Sequence, residues 1–374
     1  MATRNAGRGT LRVSGLGVAK FFLADWRLSC IFLVPPSVIL YFVHSSKGLL
    51  FLLSALALVP LAAILGGATE ELAIHAGPAA GGLTNATLGN APELILGFFL
   101  LRAGHIEALK ASIAGSIIGE LLLVFGLAVF LGGIGREKQV FNRVAVGAST
   151  TMLVLAVVGL VMPALFDLSV FGSMQPGGAA TERLSFLTAL ILIGSYFASF
   201  IFIFRTHRDL FRSPARASAQ VTAAAAVLVL VVCGGLIAFE SAVLVGGIES
   251  VTRALGWTER FVGMFVIAII GNAAEHSTAV TMAIKDKMDL ALNIALGSST
   301  QVALFVAPLL VIASHFTQHG MSLVFPLLEV VAVVISVAVA TLVSFDGETN
   351  WFEGVLLISV YAILAVFFFY SPAA

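Results

Sequence analysis

Apolar runs longer than a bilayer is thick restrict the fold of this chain more than any other feature. Residues 48–69 read GLLFLLSALALVPLAAILGGAT, and residues 221–239 read VTAAAAVLVLVVCGGLIAF. Lipid offers no hydrogen bonds, so only helices of about 20 residues and closed barrels can cross it. The runs lack the alternating pattern of a barrel strand, and charged residues make up only 11% of the chain. The sequence therefore predicts an all-α polytopic membrane protein.

Polar breaks between these runs predict eleven transmembrane helices. The predicted helices cover 27–44, 48–74, 80–102, 105–134, 141–165, 182–205, 217–252, 257–284, 288–314, 321–345 and 351–371. The segment 217–252 is longer than one simple span requires, so we expect it to tilt or to extend beyond the membrane.

Basic residues indicate the orientation, because the cytoplasmic loops of membrane proteins carry an excess of Lys and Arg. With a cytoplasmic N-terminus, fourteen of the twenty Lys and Arg residues fall on the cytoplasmic side. The segment 1–26 lacks a short apolar region with a cleavage site, so we expect a retained cytoplasmic tail. The expected location is the bacterial inner (plasma) membrane, with the C-terminus on the opposite side. A net charge of zero offers no basic surface for nucleic acid, and Cys30 and Cys233 lack metal-ligand spacing.

A shift of 182 residues aligns two separate motifs in the chain. It aligns GNAPE at 89–93 with GNAAE at 271–275, and Gly-Ser at 115–116 with Gly-Ser at 297–298. After the first helix, the remaining ten divide into two sets of five, and an odd number inverts the second set. The sequence predicts an extra helix at 27–47, inverted five-helix repeats at 48–205 and 217–371, and a basic cytoplasmic linker at 206–216. In transporters with this symmetry the substrate binds between the repeats, near the bilayer centre.

Glu93 and Glu275 are the central candidates for cation and proton binding. A carboxylate at a helix centre costs about 2.5–3.5 kcal/mol, so each needs a proton, a cation or a polar partner. One isolated glutamate could be a protonated structural residue, but its repetition on inverted halves favours a binding site. Asn90 and Asn272 lie three positions earlier, on the same helix face, and each adds an amide oxygen.

The residues beside the glutamates predict an interrupted backbone. Gly89 and Gly271 allow the helix to unwind, and Pro92 removes an N–H group. Ala274 replaces the proline in the second copy, so we expect a weaker break there. Two carboxylates with neutral oxygens suit Ca²⁺, which takes six to eight oxygen ligands. No thiolate or histidine cluster indicates zinc or copper, and Ca²⁺ is expected as a transported ion rather than a cofactor.

Further polar residues form two groups of candidates. Ser116, Ser298 and Gln301 are candidate ligands on the following helices, although close helix packing is the alternative for the serines. Secondary proton, entry or gating roles are expected for Glu70, Glu71, Glu120, Glu249 and His276, with simple solvation as the alternative for acids at helix ends. His276 follows Glu275 directly and therefore points about 100° away on a helix. Glu240 and Glu329 are candidates for cavity or structural polar groups.

Three stretches resemble the cation/proton exchanger family of the calcium/cation antiporter superfamily. They are GGLTNATLGNAPELI at 81–95, IIGNAAEHSTAVTMAIKDKMDLALNIALGSSTQVALFVAPLLV at 269–311 and DGETNWFEGVLLISVYAILA at 346–365. The resemblance implies an eleven-helix fold and the export of calcium in exchange for protons, with central glutamates at Glu93 and Glu275. The chain departs from the family at Glu120, where the family usually has Asn, and in its basic linker, where eukaryotic members often have an acidic stretch.

The resulting hypothesis is a Ca²⁺/H⁺ antiporter that works by alternating access, with both glutamates binding either Ca²⁺ or protons. The nearest alternative is a Na⁺/Ca²⁺ or other divalent cation exchanger of the same superfamily, which the Asn-Ala-x-Glu-His form disfavours. A cation channel, with the glutamates as a selectivity pair, is the alternative from a different class. The sequence contains no H-E-x-x-H, G-x-S-x-G or P-loop motif, so we expect no enzymatic activity.

Overall fold

The computed structural model describes residues 31–172, 178–207 and 219–371. The predicted tail at 1–26, Cys30 and most of the predicted linker at 206–216 lie outside the described residues.

The described residues form twelve helices and one pair of two-residue strands. The helices are α1 (Val34–Phe42), α2 (Lys47–Ala76), α3 (Pro78–Leu88), α4 (Ala91–Ala103), α5 (Ile106–Gly133), α6 (Arg143–Phe171), α7 (Ala179–Thr206), α8 (Ala223–Leu255), α9 (Glu259–Ile284), α10 (Met288–Ser314), α11 (Leu327–Val343) and α12 (Trp351–Tyr370). The strands are β1 (Gln139–Val140) and β2 (Glu348–Thr349), which pair antiparallel.

Eight of these helices are long and apolar enough to cross a bilayer. The two shorter apolar helices are α11 and α1, the latter with the turn before it (Ile31–Phe42). This architecture confirms the prediction of a mostly helical, multi-pass membrane protein.

Helix ends differ from the predictions where proline or a tertiary contact intervenes. The predicted helix 80–102 is divided at Gly89 and Asn90 into α3 and α4, because Pro92 has no N–H with which to continue the hydrogen-bond ladder. The predicted helix 321–345 begins only at Leu327, with Pro326 at its N-cap position. α2 continues past Glu70 and Glu71 to Ala76. The expectation that these two acids lie at a helix end is therefore wrong.

α5 and α10 repeat the same local geometry 182 residues apart. They begin at Ile106 and Met288, and each contains a π-helical turn, at Gly119–Val124 and Val302–Val306. Such turns are rare and frequently occur at functional sites. The same shift that aligns the sequence motifs therefore aligns these two irregularities.

The helices pack mainly against helices from the other half of the chain. α2 packs against α8 and α9, while α8 packs against α2 and α4. In the same reciprocal way α5 contacts α9, α11 and α12, whereas α10 contacts α4, α6 and α7. The close approach of α5 to α9 depends on small residues, since a Cβ atom on Gly115 would lie 2.1 Å from the Met264 carbonyl oxygen.

The pair β1–β2 joins loops from both halves at one end of the molecule, here called the strand end. Lys138 donates to Glu348 at 2.6 Å, and this hydrogen bond raises the pKa of Lys138. Arg136 donates to the Ile284 carbonyl at 3.1 Å. The other end, called the opposite end, includes the contact of His105 with Glu259 at 3.1 Å.

Candidate cation site

The two repeated motifs face each other across the contact of α4 with α9. Glu93 lies in the first turn of α4, where the partial positive charge of the helix N-terminus favours a carboxylate. A Cβ atom on Gly271 would lie 3.8 Å from Glu93 Cγ and 3.9 Å from its Oε1. Glu93 of the first motif therefore lies against the backbone of the second.

The two asparagines connect each motif to the other half of the chain. Asn90 Nδ2 donates to Gln301 Oε1 on α10. Asn272 Nδ2 donates to Ser116 Oγ on α5 at 2.9 Å and to the Ala268 carbonyl at 2.9 Å. Because of these side-chain hydrogen bonds, residues from both halves of the chain form the site together.

Several buried oxygen atoms at this point have no donor. Glu93 Oε2, Glu275 Oε2 and Asn272 Oδ1 are buried and have no hydrogen-bond partner among the described residues. Ser298 lies beside Glu275. Buried acceptors without partners are rare, and each costs about 1–3 kcal/mol. Carboxylate, amide and hydroxyl oxygens are the hard ligands that Ca²⁺ prefers, so a bound cation or protons on the carboxylates would satisfy them.

The backbone differs between the two motifs. The chain is broken before Glu93, whereas α9 runs without interruption through Gly271 and Glu275. The prediction of a weaker break in the second copy is therefore wrong, because α9 has no break there. Ala274 keeps the N–H group that proline lacks, so the hydrogen-bond ladder of α9 continues.

Glu120 and His276 meet beside the site. Glu120 Oε1 lies 3.2 Å from His276 Nε2, and Glu120 is 0% exposed. Glu120 belongs to the π-helical turn of α5 and also lies within electrostatic range of Glu275. The sequence singled out both residues but did not predict that they form a pair.

A small cavity adjoins Glu93. Its polar side chains are those of Glu93, Ser112 and Ser116, and its apolar lining includes Leu109 and Leu310. The cavity thus extends from the glutamate toward the opposite end, along α5 and α10.

Three predicted secondary acids lie away from this centre. Glu71 is buried and accepts the backbone N–H groups of Gln220 and Val221, which is a structural contact before α8. Glu70 is exposed. Glu249 is exposed on α8, 4.0 Å from Arg253. The structure therefore does not bring Glu70, Glu71 and Glu249 to Glu93.

A second buried acid, Glu240, lies on α8 outside the site. It is 0% exposed and accepts from Ser37 on α1 at 2.7 Å. Ser37 also lies 3.3 Å from Ser54 on α2. This cluster attaches the first described helix to the bundle.

A buried charge network at the opposite end was missed from the sequence. Arg260, only 5% exposed, lies 3.1 Å from Glu107 and 3.5 Å from Glu329. Lys110 donates to the Val324 carbonyl at 2.6 Å. The burial of Arg260 was not predicted, because hydropathy cannot show that α5, α9 and α11 enclose its side chain.

Comparison with known proteins identifies the family. The family model described as sodium/calcium exchanger protein matches residues 47–205 and 225–370. The chain belongs to this family. The match covers both halves and leaves out the linker between them. The resemblance drawn from the motifs is confirmed at this level.

The similar proteins include several calcium/proton antiporters. A Ca²⁺/H⁺ antiporter of Synechocystis sp. is 41% identical over 359 residues, which cover 90% of this chain and 95% of the relative. The Ca²⁺/H⁺ antiporter ChaA of Bacillus subtilis is 41% identical over 343 residues, with 90% and 96% covered. Among solved structures, native YfkE superposes with a TM-score of 0.79 at 38% identity, covering 91% of this chain and 99% of YfkE. The H⁺/Ca²⁺ exchanger CAX, at 16% identity and a TM-score of 0.69, covers 91% of each chain and shows the shared fold.

Proposed function

We propose that this protein is a secondary active antiporter that exports Ca²⁺ from the cytoplasm in exchange for H⁺. The observation that carries the proposal is the meeting of Glu93 with the second motif at a cluster of buried oxygens without donors. The relatives named as Ca²⁺/H⁺ antiporters, which match along nearly their whole length, support the choice of ions.

The proposed topology has eleven transmembrane helices. The eight long helices, the broken pair α3–α4, and the shorter α1 and α11 would supply these crossings. The proposed domains are one extra N-terminal helix and two inverted five-helix repeats at 48–205 and 217–371. The 182-residue spacing of the π-helical turns and the two segments of the family match support this division.

The proposed orientation puts the strand end in the cytoplasm. That end has the basic side chains of Arg136, Lys138, Arg143, Lys285 and Lys287, as the excess of positive charge in cytoplasmic loops requires. The N-terminus would then be cytoplasmic and the C-terminus on the other side of the bacterial inner membrane.

The proposed mechanism is competition between Ca²⁺ and protons for Glu93 and Glu275. Ca²⁺ requires both carboxylates deprotonated, and Asn272, Ser298, Asn90, Ser116 and Gln301 would bind the ion or orient its ligands. Protons arriving from one side neutralise the carboxylates and release the ion. Two protons for one Ca²⁺ is electroneutral, whereas each uncompensated charge would add about 2.3 kcal/mol per 100 mV.

The test uses purified protein in vesicles with an imposed proton gradient and no sodium. We expect Ca²⁺ uptake driven by the gradient, and its loss by at least about a hundredfold in Glu93→Gln and in Glu275→Gln, because a neutral amide removes the exchangeable charge. Glu240→Gln is the matched control and is expected to transport normally, since Glu240 lies outside the site. Normal transport by both site variants would refute the mechanism.

The description of the matched family supports one second candidate, a Na⁺-driven exchanger. The discriminating experiment imposes a sodium gradient at equal pH on both sides. Calcium movement under that condition alone would replace H⁺ with Na⁺ as the coupling ion. Calcium movement that follows only its own gradient, without coupling to either ion, would indicate a channel.

A further inference from the structure

Two successive polar contacts join α9 to α5 beside Glu275. Asn272 donates to Ser116 at 2.9 Å, and His276 Nε2 lies 3.2 Å from Glu120 Oε1. The partners are four residues apart on both helices, which is about one helical turn. Contacts at two levels along a pair of helices oppose the rotation of one helix about its own axis.

The second contact is specific to one half of the chain. The 182-residue shift gives Leu94 and Val302 as the counterparts of His276 and Glu120. Two apolar residues in the first half thus correspond to two polar side chains that lie 3.2 Å apart in the second.

The two halves also direct their glutamates in different ways. Glu93 follows the break at Asn90, and the fixed φ angle of Pro92 and the bond from Asn90 to Gln301 constrain that turn. Glu275 has no break before it, so its direction depends on how α9 is rotated. The additional polar contact occurs in the half that lacks the proline.

Stability alone does not explain the Glu120–His276 pair. Glu120 is fully buried, and neither of its carboxylate oxygens has a hydrogen bond among the described residues. A buried pair of this kind often stabilises less than apolar residues of similar size, and specifying one geometry is its best-attested use.

We infer that Glu120 is a positioning residue: through His276 it fixes the rotation of α9 on α5 and so directs the Glu275 carboxylate toward Glu93. The inference rests on the proposed function and deepens it. The Glu120–His276 pair acts on the affinity for Ca²⁺, and the Glu120 carboxylate does not itself bind the ion.

The test is a double-substitution cycle in which Glu120 and His276 are replaced by the residue types of their counterparts, Val302 and Leu94. Glu120→Val and His276→Leu are made singly and together, and the Ca²⁺ dependence of proton-coupled uptake is measured in vesicles. Each single substitution is expected to raise KM for Ca²⁺ about tenfold, with a smaller change in kcat. The double variant is expected to recover to within about threefold of wild type, because contacting residues are not additive.

Two more variants distinguish a positioning role of Glu120 from a role of its charged carboxylate as a ligand. Glu120→Gln keeps an acceptor oxygen for His276 and is expected to have a KM near that of wild type, whereas a ligand role for the carboxylate predicts a loss equal to that of Glu120→Val. Glu240→Val is the matched control, because it removes another fully buried acid outside the site, and it is expected to leave KM unchanged. Gel filtration of each variant reports folding independently of transport.

Additive effects of the two single substitutions, or a Glu120→Gln variant as defective as Glu120→Val, would overturn the inference while wild-type exchange remains. The absence of proton-coupled Ca²⁺ movement by the wild-type protein would instead overturn the proposed function, and this inference with it. The two failures are therefore distinguishable in one set of vesicles.

Discussion

Asn272 combines a donor role and an acceptor role at the centre of the site. Its Nδ2 atom donates to Ser116 and Ala268, while its Oδ1 atom is buried without a donor among the described residues. Asn272→Ala removes both functions. We expect KM for Ca²⁺ to rise by about 5- to 150-fold, as the loss of about 1–3 kcal/mol of polar interaction implies. The measurement is the calcium dependence of uptake.

Ser116→Ala is the control for the loss of the hydrogen bond alone. It removes the acceptor of Asn272 Nδ2 but leaves the Asn272 oxygen in place, so its effect should be smaller. Equal KM values for Asn272→Ala and wild type would exclude Asn272 as a ligand.

Arg260 is the buried arginine of the charge network at the opposite end. It lies between Glu107 and Glu329 and is nearly inaccessible. Arg260→Gln removes the basic side chain that lies between these acids, and removing one partner of a buried pair costs about 3–5 kcal/mol. We expect a large fall in the thermal unfolding midpoint of the purified protein in detergent.

Arg253→Gln is the matched control for this loss of charge. Arg253 is exposed on α8, 4.0 Å from Glu249, and exposed pairs contribute about 0–1 kcal/mol. Its unfolding midpoint should stay close to that of wild type. Similar midpoints for the two arginine variants would contradict the structural importance of the buried network.

At the residue scale, the repeated glutamates could be predicted from the sequence, whereas the contacts between side chains of different helices could not. Glu93 and Glu275 were found because a membrane carboxylate is costly and this one occurs twice in one motif. The pairing of Glu120 with His276 was not predicted, because it depends on the relative rotation of α5 and α9. Arg260 was also missed, since a basic residue at the edge of an apolar run resembles a loop residue.

At the scale of the elements, the crossing of α5 with α9 depends on the absence of side chains. A Cβ atom on Gly115 would lie 2.1 Å from the Met264 carbonyl oxygen, and one on Gly263 would lie 2.4 Å from the Ala108 carbonyl oxygen. Each helix thus presents a glycine to the backbone of the other, as small residues do at membrane helix contacts.

Gly115→Ala should therefore separate the two helices that hold Asn272 and Ser116. The added methyl group meets backbone, which cannot rotate away, and overpacking costs about 1–3 kcal/mol or more. We expect a lower thermal unfolding midpoint in detergent together with weaker Ca²⁺ binding.

Gly119→Ala provides the control on the same helix, because a Cβ atom there has no heavy atom within 4 Å. Its unfolding midpoint should match that of wild type. An equal loss in both variants would mean that the helix, rather than the crossing, is sensitive to alanine.

Helix positions were predicted better than helix ends. Hydropathy located α5 and α10 to within a few residues, because long apolar runs leave the backbone no alternative in lipid. The prediction placed the start of α11 six residues too early, since the apolar residues before Pro326 are buried without being helical. The interruption at Asn90 was predicted from Pro92, whereas the weaker break expected in the second copy is absent.

At the scale of the whole molecule, the two halves interlock rather than lie side by side. Each half supplies the central helix, α5 or α10, that contacts the motif of the other, through Asn272 with Ser116 and through Asn90 with Gln301. A change in the relation of the halves therefore changes both sets of contacts at once. The proposed mechanism, in which one site opens alternately to the two sides of the membrane, requires such a coupling between the halves.

The proposed inversion of the repeats predicts where two loops that correspond in sequence lie relative to the membrane. The loop between α5 and α6 contains the exposed Glu137, and the loop between α10 and α11 contains the exposed Gln318, one residue from its counterpart under the 182-residue shift. Two inverted repeats put these loops on opposite sides of the membrane, whereas parallel repeats would put them on the same side. Glu137→Cys and Gln318→Cys are made in a chain with Cys30 and Cys233 replaced by serine.

We expect a membrane-impermeant thiol reagent to label Gln318→Cys in intact cells, and to label Glu137→Cys only after the membrane is permeabilised. The reason is the excess of Lys and Arg at the strand end, which favours its retention in the cytoplasm. The cysteine-free chain is the background control, and labelling after permeabilisation controls for the accessibility of each thiol. The reverse pattern would overturn the orientation but keep the inverted repeats, whereas equal labelling of both positions in intact cells would contradict the inversion itself.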